Sequence, residues 1–100
     1  MKARLVMQLR APSSHIALTI VRAALDEFLD QYPGALLSKD SGQPAWDERK
    51  NVLTMALVAQ CNSESDAMSF NKELVELIAK QQRANGIMPD SMIVPFQIVG

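Results

Sequence analysis

Apolar and polar residues change rhythm several times along the chain, and each change marks an element. Residues Ala3 to Arg10 alternate, with Leu5, Met7 and Leu9 on one side and Arg4, Val6, Gln8 and Arg10 on the other. A period of two predicts a strand with one face buried. Pro12 breaks the pattern, and Ser13 or Ser14 offers a side-chain oxygen to the first N–H groups of a helix. From about Ser14 to Tyr32 the spacing turns helical. Ile16, Ile20, Ala24 and Phe28 recur beside Ala17, Val21, Leu25 and Leu29, while Arg22, Asp26, Glu27 and Asp30 fall largely on the opposite side. Pro33-Gly34 ends that helix, since proline cannot continue the ladder and glycine takes a positive φ.

Ala35 to Lys39 then predicts a short strand, and Asp40 to Glu48 a polar loop that holds Gly42, Pro44 and Trp46. Asn51 to Gln60 is the strongest strand: Leu53, Met55, Leu57 and Ala59 form one face, Val52, Thr54, Ala56 and Val58 the other. Neither face is charged, as expected of a central strand covered on both sides. Ser63 followed by Asp66 has the form of a capping box. The second helix places Ala67, Phe70, Leu74, Leu77, Ile78 and Gln81 on its inner stripe, with Glu76 and Lys80 spaced to pair outside and Asn85-Gly86 as its stop. Met92 to Val99 reads as the last strand. Pro95 has no donor, so that strand belongs at a sheet edge.

The order strand, helix, strand, strand, helix, strand packs most naturally as an α+β, ferredoxin-like βαββαβ sandwich. It is a four-stranded antiparallel sheet in the order 4-1-3-2 with two helices on one face, filling residues 1–100 as a single domain. This topology brings His15, the Asp40–Glu48 loop and the Gly86–Asp90 loop to one end. Cys61 and Asn62 go to the other end, with Pro33 and Gly34.

Composition narrows the chemistry. The 100 residues are 48% hydrophobic but only 5% aromatic, so the core is aliphatic. Ten Lys and Arg against eleven Asp and Glu exclude both a generally basic coat and an acidic disordered tail. One cysteine and one histidine cannot build a disulfide framework within the chain or a structural zinc site, and neither a cofactor nor a metal is expected. No apolar run approaches the roughly 18–20 residues of a membrane span. Arg10 also falls where a signal peptide would be apolar. A soluble, cytoplasmic protein with no membrane partner is expected.

Individual residues are weighed against plainer roles. Cys61 precedes a helix N-terminus, which favours a thiolate, but it reads as a small half-buried residue at a strand end. His15 could act as a general base with Asp40, Asp47 or Asp90, yet a solvated helix start is the simpler reading, and an enzyme is not expected. Trp46, beside Arg49 and Lys50, is either an interface anchor or a lid on the open end of the core. Lys2, Arg4, Arg10 and Arg22 precede the first acid, Asp26, and such a strip could meet phosphates or an acidic protein surface. The central strands carry no aromatic on which bases could stack, so sequence-specific nucleic-acid binding is not expected. No glycine-rich phosphate loop, HExxH or GxSxG occurs.

The outward sheet face says most. Val6, Val52, Thr54, Ala56 and Val58, with Ile93 and Val99 towards the edge, form a contiguous aliphatic patch of the kind that marks a partner surface. Arg4, Gln8, Arg10 and Lys50 supply a polar rim. These residues point to a non-enzymatic protein-interaction domain pairing through its sheet, as a homodimer or with another protein. Adaptors, subunits and small inhibitors, including those carried by phages and mobile elements, have this size. The alternative is a small-ligand regulatory domain, because the element order resembles that of ACT-type domains, which implies a site at a dimer edge.

Overall fold

A computed structural model describes residues 1–37, 41–90 and 96–100. The opening alternation forms β1, Lys2–Arg10, in which Ala3, Leu5, Met7 and Leu9 are buried. Helix α1 spans Ser14–Gln31, and the Ser13 hydroxyl accepts its first free N–H, that of Ile16, at 3.2 Å. Strand β2 is Ala45–Asp47 and β3 is Val52–Gln60. Helix α2 runs over Glu64–Ala84, and β4 is the pair Gln97–Ile98. The sheet is antiparallel in the order β2-β3-β1-β4, which is the expected 4-1-3-2, and the arrangement is ferredoxin-like.

β1 and β3 pair along their whole length, from Lys2 opposite Gln60 to Arg10 opposite Val52. That register aligns Leu5 with Leu57 and Leu9 with Leu53 on one face, where both helices sit. The core is aliphatic in its middle. Phe28, Tyr32 and Phe70 close one end of it, with ring centroids 4.9–5.5 Å apart.

Both helix ends of α2 are fixed by local chemistry. The Asp66 N–H donates to the Ser63 hydroxyl at 3.2 Å, and the Asp66 carboxylate accepts from the Asn62 N–H at 3.0 Å. This is a capping box whose return bond lands one residue earlier than the usual one. At the far end Ile87 N–H reaches the Gln82 carbonyl at 2.8 Å and Gly86 N–H the Arg83 carbonyl at 3.1 Å, with Gly86 at φ +73°. That double bond pattern is a Schellman motif, and only glycine takes its left-handed position without strain.

Several elements differ from expectation. The Ala35–Lys39 segment contributes one isolated bridge, Leu36 opposite Ala59, and the regular part of that edge is Ala45–Asp47, inside the expected loop. Continued pairing from Leu36 would set Ala45 opposite Lys50; it stands instead opposite Thr54, a register step of four residues. Ser41 marks the step. Its hydroxyl accepts the Val58 N–H at 3.1 Å and donates to the Leu37 carbonyl at 2.9 Å, so it sits between two backbone groups that would otherwise pair. β3 starts at Val52 because Asn51, at φ +53°, ends the hairpin turn.

The last strand is Gln97–Ile98 rather than Met92–Val99, and Met92 to Pro95, including Ile93, lie outside the described residues, as do Ser38, Lys39 and Asp40. On α2, Gln82 is fully buried while Gln81 is half-buried, and Asn71 is buried as well, next to Phe70, which packs partly buried against the core as expected. Lys80 does not pair with Glu76; it crosses to Glu27 of α1 at 2.7 Å. Leu29, expected inside, is exposed.

Candidate functional site

Because β1 and β3 use one row of side chains for the core, the other row faces away from both helices. Read across the pairs, it matches Arg4 with Val58, Val6 with Ala56, Gln8 with Thr54 and Arg10 with Val52. Val6, Gln8, Val52, Thr54 and Ala56 are half-buried, as expected of side chains flanked by neighbouring strands on the side away from both helices. Val58 differs from expectation: it is buried, at 7% exposure, next to the Ser41 step at the β2 edge. The Gln8 amide reaches the Thr54 hydroxyl at 3.5 Å, a long and weak bond across the face. Val99, expected at its margin, is 51% exposed.

The face is cationic at both ends. Arg4 is exposed and has no ion pair among the described residues. Arg10 is exposed at the other end, where its Nε lies 3.6 Å from Asp90. Asp90 also accepts the Arg10 N–H at 3.3 Å and the Gln82 amide at 2.9 Å, and the same Gln82 amide donates to the Arg10 carbonyl at 3.3 Å. A buried glutamine thus ties the end of α2, the end of β1 and the following loop together, with its own Oε1 left without a partner among the described residues. The helical period does not single out Gln82, because Gln81 stands at the same spacing from Leu77 as Gln82 does from Ile78.

Two depressions meet at Arg10. One, of about 200 Å³, opens on the outer face between Gln8, Leu9, Val52 and Asp90. The second, a wider cleft of about 500 Å³, lies around the end of the sheet between Arg10, Ala11, Pro12, Lys50, Asn51, Gly86 and Ile87. Lys50 reaches it because the hairpin turn is fixed by Asp47, whose carboxylate accepts the Arg49 and Lys50 N–H groups at 2.9 and 3.2 Å.

Trp46 is in β2, opposite Leu53, and so points to the helical side, where it packs half-buried against the core. That geometry is the lid. Arg49 and Lys50 are exposed in the turn beyond it. His15 is exposed at the start of α1, at the same end as Asp47 and Asp90, but those two carboxylates are committed to backbone N–H groups and Gln82. Cys61 is fully enclosed at the opposite end, its N–H and thiol both directed at the Met1 carbonyl. The two are not brought together. Among the described residues no three His, Cys, Asp or Glu are grouped to hold a metal ion, and no helix is long and apolar enough to cross a membrane.

Comparison with protein-family models, curated proteins and solved structures finds no match.

Proposed function

We propose that this chain is a protein-interaction module that docks a partner on the outer face of its sheet. The observation that carries the reading is the outward row of β3. Val52, Thr54, Ala56 and Val58 are uncharged, and three of the four keep partial exposure in the middle of the sheet, on the side opposite the helices. A one-sided antiparallel sheet facing water normally places charged or strongly polar residues there, and an aliphatic centre with a polar rim is the composition of an interface. Arg4, Gln8, Arg10 and Lys50 supply the rim.

A photoreactive amino acid placed at Thr54 tests this in the source cell, with the same probe at Glu76, an exposed position of α2, as control. The Thr54 probe is expected to cross-link to a protein, another copy of this chain or a different one, and Val52→Glu to abolish the product. Equal labelling from Thr54 and Glu76 sinks the reading.

A further inference from the structure

We infer that the partner of the outer sheet face is an acidic protein surface, with carboxylates seated where Arg10 and Lys50 share a cleft; this rests on the docking reading above and names the partner's chemistry. Charge complementarity carries it. Net charge is only −1, but the charges are segregated. Seven of the eleven carboxylates lie on the helices: Asp26, Glu27 and Asp30 on α1, and Glu64, Asp66, Glu73 and Glu76 on α2. The outward row of β1 holds Lys2, Arg4 and Arg10 with no acid, that of β3 holds no charge at all, and that of β2 adds Asp47, opposite Val52, whose carboxylate accepts the Arg49 and Lys50 N–H groups. Asp90 borders the face, but Arg10 and Gln82 already engage it.

The two depressions give the cations a place to act. Arg10 lines both of them, so it links the depression on the outer face to the cleft that Lys50 also lines. Its side chain is 70% exposed, which leaves guanidinium N–H groups beyond Nε for a second carboxylate. Arg4 lies six residues back along β1, about 20 Å away at roughly 3.3 Å per residue. A partner therefore meets cations at both ends and methyl groups between. A second copy stacked face to face would bring in the same cations, while the described acids of its own outer face, Asp47 and Asp90, already engage backbone N–H groups, Arg10 and Gln82, and like charges at an interface select against that pairing. A nucleic-acid backbone needs cations along its track, whereas the middle of this face is neutral.

The test uses two synthetic amphipathic peptides with one apolar row and either glutamate or lysine at every polar position, and a thymidine oligonucleotide as the phosphate probe. Binding to the full chain is followed by amide chemical shifts. The glutamate peptide should shift the β1 and β3 amides and bind roughly tenfold or more tightly than the lysine peptide. Lys50→Glu and Arg4→Glu, both exposed positions, should each narrow or reverse that preference, and high salt should erase it. Equal binding of the two peptides, both lost in Val52→Glu, would overturn the acidic partner and leave the docking face standing. Tighter binding of the oligonucleotide would overturn it in favour of phosphate. Binding of neither peptide, with a dimer that Val52→Glu dissociates, would make the occupant a second copy.

Discussion

The two faces of the central strand pair are made by the same residues of backbone and differ in every other respect. Inward, β1 and β3 present Leu5, Leu9, Leu53 and Leu57, each no more than 2% exposed and interdigitated with Ile20, Phe28, Leu74 and Ile78 from the helices. Outward, the row is shorter and β-branched, with Val6, Val52 and Thr54 half-buried. Strand pairing alone removes the flanks of a side chain from water; only a second layer removes its tip. Hydrophobic character and burial are therefore separate facts about a position. Inside they coincide, and outside the first is present with half of the second.

The sharpest way to break that comparison is to truncate one residue from each face. Leu57→Ala should cost about 2–5 kcal/mol, the transfer term plus an unfilled cavity. Val52→Ala should cost under about 1.5 kcal/mol, since part of that side chain is in water already. Urea unfolding of both variants measures the pair, and equal losses would mean that the outer face is covered. A middle-sized effect concerns the one fully buried polar side chain of the helical layer. Gln82→Leu keeps the volume but removes the amide shared by Asp90 and the Arg10 carbonyl, and should destabilise by about 1–2 kcal/mol, the cost of unmade bonds less the relief of its orphaned Oε1. A neutral result would show that Arg10 alone holds Asp90. Smallest is Thr54→Val, which trades a 3.5 Å hydrogen bond for a methyl group on the outer face and should change the urea midpoint by an amount equivalent to no more than about 0.5 kcal/mol. A larger gain would mean that the face closes over the new methyl group.

The sequence disclosed those faces unequally. Alternation in Ala3–Arg10 and in Val52–Gln60 carries which residues share a side, and two amphipathic helices say which side is dry, so the sheet order followed. The edge was not legible. Ala45-Trp46-Asp47 is three residues, too short for an alternation to detect, and its pairing depends on a register that Ser41 resets by side-chain hydrogen bonding. For the same reason Trp46 could not be oriented from sequence: its side follows from standing opposite Leu53. Gln81 and Gln82 follow Leu77 and Ile78 at equal spacing, and helical period cannot choose between identical residues. Lys80 has acids within reach on its own helix and on its neighbour, and packing of α1 against α2 selected Glu27. The candidate face was legible as a row of residues. The meeting of two depressions at Arg10 was not, because it depends on where three loops end in space.

The four-residue step at the β2 edge also makes chain length a variable with a parity rule. Strand side chains alternate, so a displacement of four returns Leu36 and Trp46 to the same side, opposite Ala59 and Leu53. Deleting two or four residues between Leu37 and Ala45 would leave the tryptophan over the core. Deleting one or three, if the chain then paired continuously from Leu36, would turn it to the outer face of the sheet and open the end of the core to water. Insertions and deletions in this segment should therefore be tolerated in even numbers, which turns a local irregularity into a rule for how this protein can vary in length.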